Sequence, residues 1–248
     1  MQKVIHSIKT FFGLIPLKNR MQDLIRKSNS DTFDEYRYHI ITVKSRDILK
    51  YINSDFSRNV KRMDAIFVKV AKESYDKFGA VLIYTFNNEI NFVFDNENSC
   101  YNRNINKTLT SIVSYVTNRV TKELFNAGIN MEMMFTGKFV EFEKDFETFN
   151  YLVWRQCECY RNNILALAKE NKIETHQVTT KNLLASLEKA NVEYDLYVLN
   201  GSTLKKELIY VEKDKPDLVT RSFFNVDYVI FSDSFSSNIR KYLYNKML

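Results

Sequence analysis

The stretch LIYTFNNEINFVF, residues 82–94, places two apolar runs either side of Asn87, Asn88 and Glu89. It reads as a strand–turn–strand unit with one acidic residue at its tip. Such a tip is a common seat for a divalent cation, because Mg2+ takes hard oxygen ligands in a fixed geometry. Here an amide, Asn88, stands directly before the single carboxylate, Glu89. A second polar cluster lies in YLVWRQCECYRNNILALAKE, residues 151–170. Val153, Cys157, Tyr160, Ile164 and Leu167 step by four and three and form one apolar stripe. Arg155, Glu158 and Asn162 share a separate polar face. That face reads either as a surface ion pair, worth about 0.2–0.5 kcal/mol, or as a surface aimed at a nucleotide or RNA. Trp154 beside it reads more simply as a core anchor than as a stacking platform for a base.

Other chemistries find little support. Cys100, Cys157 and Cys159 make no even disulfide framework and fit a reducing compartment. C-E-C has the wrong spacing for a zinc knuckle, and His6, His39 and His176 are scattered. Neither a G-x-S-x-G elbow nor a phosphate-binding P-loop is present. The net charge of +6 suits a polyanionic partner such as nucleic acid or nucleotide, and suits a generic basic protein equally.

The elements that must position these residues follow from patterning. With 248 residues, 45% of them hydrophobic, the chain can bury a substantial core. Five glycines and two prolines leave no flexible linker. YHIITVK, residues 38–44, reads as the first core strand. After a polar stretch, residues 61–78 show helical spacing in Met63, Ile66, Phe67, Val70 and Ser74, with Gly79 as the stop. The hairpin follows, then a helix over 106–125, a strand in FVEFE (139–143) and a helix over 146–170. A short helix at 180–190 leads to expected strands in YDLYVL, ELIYVE and VDYVIF, and SSNIRKYLYNKML at the C-terminus reads as a basic helix.

The order β-α-β-β-α-β predicts an α+β fold, a ferredoxin-like, polymerase-palm antiparallel sheet with helices packed on it. Residues 29–213 are expected to form that palm-like domain, with basic extensions at 1–28 and 214–248. No apolar run approaches the ~20 residues a spanning helix needs, so no membrane is expected and a cytoplasmic location is. The richness in Lys, Asn, Ile, Tyr and Phe resembles translation of an AT-rich, viral or phage genome, in which case the cytoplasm is the host's.

W-R-Q-C-E-C-Y-R-N-N at 154–163 resembles the tRNA-His guanylyltransferase family, which carries W-R-Q-x-D-C-H-x-N-N. Trp154, Arg155, Gln156, Cys159, Asn162 and Asn163 match, Glu158 replaces an Asp, and Tyr160 replaces a His. In the same order, residues 84–94 resemble Y-G-Q-S-D-E-Y-S-F-V-F, F-T-G-K (135–138) resembles F-D-G-R, and L-K-K-E-L (204–208) resembles Y-R-K-G-T. Lys107 and Ser114, with Arg103 before them, resemble the family's basic S-K…S helix, and the likeness spans about residues 36–212. The resemblance implies a palm that adds nucleotides to the 5′ end of RNA, using GTP or ATP and two Mg2+ ions that clamp the phosphoryl transfer. It implies tRNA or another RNA as partner, and a homo-oligomer among the family's states.

The family's metals are held by L-D-G after the first strand and by D-E in the hairpin. V-K-S at 43–45 takes the first place and Asn88-Glu89 the second, so Lys44 and Asn88 replace two carboxylates. The site residues implied are Glu89, Asn88 and Lys44 at the catalytic centre, and Arg103, Lys107, Ser45 and Arg46 for nucleotide. Arg155, Gln156, Glu158, Asn162, Asn163, Lys205 and Lys206 are implied for RNA, and Glu89 for metal. Three accounts compete. The protein is a pseudo-enzyme in which Lys44 pairs with Glu89 and Mg2+ is weak or absent; or the alignment slips by three residues and Asp47 is the ligand; or one metal suffices. Without the resemblance, Arg103 and Lys107 read as a solvated helix start, and Lys205 and Lys206 as a strand edge guarded by charge.

Overall fold

The computed structural model describes residues 16–27, 32–34, 37–95, 100–210 and 220–227. In chain order the elements are α1 (Leu17–Lys27), β1 (Tyr38–Ser45), α2 (Arg46–Ser54), α3 (Phe56–Phe78), β2 (Leu82–Phe86) and β3 (Glu89–Phe94). A short 3-10 turn (Cys100–Arg103) leads to α4 (Ile105–Asn126), β4 (Phe135–Phe142), α5 (Asp145–Glu170), α6 (Thr180–Lys189), α7 (Leu196–Asn200), β5 (Ser202–Tyr210) and β6 (Thr220–Asp227). The strands form one antiparallel sheet in the order β4-β1-β3-β2-β5-β6. Its first four strands carry the split βαβ arrangement expected from the element order.

Side chains alternate across this sheet, so β1, β2, β3 and β4 each feed two cores. On one face Ile41, Val43, Ile83, Ile90, Phe92 and Leu204 pack with residues of α2, α3, α4 and the C-terminal half of α5. On the other, Ile40, Leu82, Tyr84, Phe86, Val93 and Val140 pack with Met21 of α1 and Phe149, Tyr151, Leu152 and Cys159 of α5. Helix α5 thus contributes its first half to one core and its last turns to the other, passing the tip of the β2–β3 hairpin. Gly79, at φ 68, ends α3 where its lack of Cβ permits the left-handed conformation.

Several elements differ from the expectation. The polar stretch after β1 is helical: Ser45 caps α2 by accepting from the Ile48 amide, and Ile48 and Ile52 bury one narrow face. YDLYVL is not a strand; α7 occupies Leu196–Asn200. A short apolar run has no periodicity that separates a strand from a buried helical turn. Gly201, at φ 74, ends α7, and any side chain there would meet the Thr85 carbonyl oxygen at 2.5 Å. The close approach lets Ser202 enter β5 beside Thr85. β5 starts earlier than ELIYVE and β6 earlier than VDYVIF.

The two flanking segments also contain structured elements. Within 1–28, α1 buries Met21 completely and ties Arg20 to Glu147 of α5 at 2.8 Å. Within 214–248, β6 pairs with β5 along the sheet edge. The helix expected at 236–248 and residue His6 lie outside the described residues. No helix among the described residues is long and apolar enough to cross a membrane.

Candidate functional site

The β2–β3 turn needs a residue that tolerates positive φ, and Asn87 adopts φ 46 there. This turn sets Glu89 as the first residue of β3, directly opposite Lys44 of β1. Both side chains lie on the face covered by α5. Glu89 is 1% exposed, and such a carboxylate must be paired to stay charged. Arg155 of α5 supplies the pairing side-on: Nε donates to Oε1 at 2.7 Å and Nη2 to Oε2 at 2.6 Å. The Lys44 ammonium lies 3.6 Å from Oε2, and Asn91 Nδ2 donates to Oε1 at 3.1 Å. Thr42 Oγ1 donates to Asn91 Oδ1 at 2.7 Å and sits 3.0 Å from the Tyr151 hydroxyl, which extends the polar network inward.

The electrostatics follow from this pairing. Burial pulls the Arg155 guanidinium down, and the charge and hydrogen bonds of Glu89 overcome that pull, so its pKa is raised. Burial, with the Glu89 charge adding to it, pushes Tyr151 up to about 12. Arg155 also lies 4.8 Å from the Trp154 ring and 5.4 Å from the Phe86 ring, contacts that a planar guanidinium favours. Trp154 packs edge-on to Tyr151 at 5.5 Å, in the core-anchor position.

Beside this centre Asn88 and Ser45 clasp the strand ends. Ser45 N donates to the Asn88 carbonyl at 3.1 Å, and Asn88 Nδ2 donates to the Ser45 carbonyl. Arg46, the first residue of α2, is exposed. Asp47 is not brought to Glu89. Its carboxylate accepts the Met134 amide at 3.0 Å and lies 4.0 Å from Lys50. The three-residue slip is therefore not adopted, because β1 keeps Lys44 opposite Glu89 and ends at Ser45.

The remaining candidates scatter. Gln156 and Asn163 are 5% and 1% exposed, so neither presents a surface to RNA. Gln156 donates to the Asn200 carbonyl, while Asn163 donates to the Val198 carbonyl and accepts from Asn87. They lock α5 to α7 and to the hairpin tip. Glu158 pairs with Arg161 at 3.3 Å rather than with Arg155. Lys206 pairs with Asp76 and stands 6.0 Å from the Tyr75 ring; Lys205 is half-buried. Arg103 and Lys107 belong to the α4 side of the sheet. The Arg103 carbonyl accepts from Phe33, and the Lys107 ammonium lies 5.4 Å from the Tyr101 ring. Neither joins the Lys44–Glu89 centre.

A cleft of about 540 Å³ lies between α2, the hairpin tip and α5, lined by Leu49, Asn53, Phe56, Asn87 and Asn162 among others. Asn87 Oδ1 is buried beside it without a hydrogen-bond partner among the described residues. A role for Asn53 or Asn87 in this cleft is not legible from sequence, since a lone amide in a helix or a turn carries no distinctive spacing.

A family model described as tRNAHis guanylyltransferase matches residues 19–144. The chain belongs to the tRNAHis guanylyltransferase family. Among solved structures, a bacterial tRNA(His) guanylyltransferase-like protein in complex with ATP is similar, with TM-score 0.71 and 19% identity over 92% of this chain and 97% of that one. The same description in complex with GTP matches with TM-score 0.69 and 20% identity over 93% and 98%. The tRNA(His) guanylyltransferase of Saccharomyces cerevisiae matches with TM-score 0.60 and 14% identity over 85% and 98%. No curated protein matches in sequence. The tryptophan helix falls outside the residues matched by the family model, yet its Arg155 completes the centre built by the matched strands.

Within this guanylyltransferase-family palm the strand-end residues do not fit a divalent cation. Mg2+ needs several oxygens free to ligate. Both Glu89 oxygens are held by Arg155, the Asn88 amide turns its NH2 to the Ser45 carbonyl, and an ammonium stands beside them. Among the described residues no group of three His, Cys, Asp or Glu side chains is placed to hold a metal.

Proposed function

We propose that this chain is a guanylyltransferase-family protein that binds a nucleoside triphosphate and RNA, with nucleotidyl transfer to RNA 5′ ends weak or lost. The observation that carries this reading is the side-on Arg155–Glu89 pair with Lys44 beside it. It leaves the centre one carboxylate and two cations. A reaction that depends on divalent ions to neutralise the phosphates has little to hold them with. Nucleotide binding is supported by the fold's likeness to bacterial relatives in complex with ATP and GTP. Lys44 and Arg46 flank the strand–helix junction that would face phosphate, while Ser45 between them is buried and caps α2. Asn162 on the cleft wall, with Lys205 and Lys206, remains for RNA.

Incorporation of labelled GTP into the 5′ end of tRNA, with Mg2+ present, tests the catalytic half. The expected result is little or no incorporation, while GTP or ATP raises the melting temperature by mass action. Turnover at a relative's rate would overturn the loss of transfer. The absence of any nucleotide-induced shift would leave only a scaffold.

A further inference from the structure

We infer that the strand-end centre takes the triphosphate chain as its free polyanion, with the Lys44 ammonium standing where divalent cations would, so that Mg2+ weakens nucleotide binding instead of supporting it. The inference rests on the reading of this chain as a nucleotide binder and specifies the form of ligand that the same site accepts.

The direction of each charge carries the argument. Glu89 is closed off, with Arg155, itself 12% exposed on its side chain, neutralising it from the α5 side. Lys44 is 44% exposed on its side chain, so the charge that this centre presents to solvent is positive. Two residues on, Arg46 adds an exposed guanidinium at the first turn of α2, whose amino-terminal end contributes partial positive charge. The opposing charge nearby, Asp47, is turned to the Met134 amide and Lys50. The Ser45 carbonyl is covered by the Asn88 amide. A bare triphosphate offers this junction its full negative charge and many acceptor oxygens. An Mg2+ complex carries two fewer negative charges and brings a cation next to an ammonium, which like-charge repulsion disfavours.

The test is calorimetric titration of GTP, and of inorganic tripolyphosphate as a probe of the chain alone, into the purified full-length protein. It is run in EDTA and then in Mg2+ saturating the nucleotide. The expected result is binding in EDTA that weakens roughly tenfold with Mg2+, and tripolyphosphate that competes with GTP. Lys44→Met should lower affinity in EDTA roughly tenfold without moving the melting temperature, and Lys44→Gln serves as a second variant with the charge removed. GTP that binds only with Mg2+ overturns this inference and leaves the nucleotide reading intact. GTP that binds in neither buffer overturns both. Unaltered affinity in both folded Lys44 variants removes Lys44 from the site and overturns the inference. Tripolyphosphate that does not compete overturns recognition of the chain itself.

Discussion

His39 and Glu89 sit at opposite ends of the β1–β3 ladder and are equally buried, at 0% and 1% exposure. The fold handles these two ionisable groups in opposite ways. At one end His39 lies among aromatic rings, 4.3 Å from Phe33, 4.8 Å from Phe94 and 5.5 Å from Phe139. Burial there depresses the imidazole to about 3, so it stays neutral. At the other end Glu89 is held in ion pairs by Arg155 and Lys44. The difference teaches where this palm keeps its chemistry. A neutralised side chain is packing material, whereas a paired one holds neighbouring charges in place, and one of those charges, Lys44, reaches solvent.

The sharpest way to break this comparison is Glu89→Gln, which leaves the Arg155 guanidinium buried without its counter-ion. A loss of about 3–5 kcal/mol is expected from denaturant unfolding. Glu89→Leu combined with Arg155→Met should restore most of that loss, because the pair leaves together. If the double variant is as unstable as the single one, the pair is not what holds this end.

At the other end, the folded His39 pKa lies below its unfolded value, so its contribution is fully present above pH 6.5 and is lost as pH falls toward 3. Wild type should lose on the order of 3 kcal/mol more than His39→Phe between pH 7 and pH 4, read from urea midpoints at each pH. Equal losses would mean that His39 is not held neutral.

The smallest expected effect is the stability change in Lys44→Ala. Its ion pair is with an already satisfied carboxylate and its side chain is 44% exposed, so a cost below about 0.5 kcal/mol is expected. A much larger cost would make Lys44 part of the frame and blur the contrast with His39.

Much of the fold was legible along the chain. The hairpin around Asn87, the α3 stop at Gly79 and the stripe of α5 all rest on short-range spacing and turn chemistry, which a linear sequence displays directly. α2 was missed because only Ile48 and Ile52 of its nine residues are buried, too few to show a period. The α7 segment reads as a strand because the four apolar residues Leu196 to Leu199 fit either state. At the site, the pairing of Lys44 with Glu89 follows from strand register once β1 and β3 are recognised. The interior positions of Gln156 and Asn163 were not legible, since their partners, Asn200 and Val198, lie in the misread helix.

By itself the sequence determined the family, the β-α-β-β-α-β order and the replacement of two expected carboxylates by Lys44 and Asn88. Only the tertiary structure decided that Arg155 turns from its helical neighbour Glu158 to Glu89, 66 residues earlier in the chain. A helical wheel shows which residues share a face but not what that face meets. Burial against the sheet makes the distant carboxylate the partner, because a guanidinium there must be neutralised while one at the surface need not be.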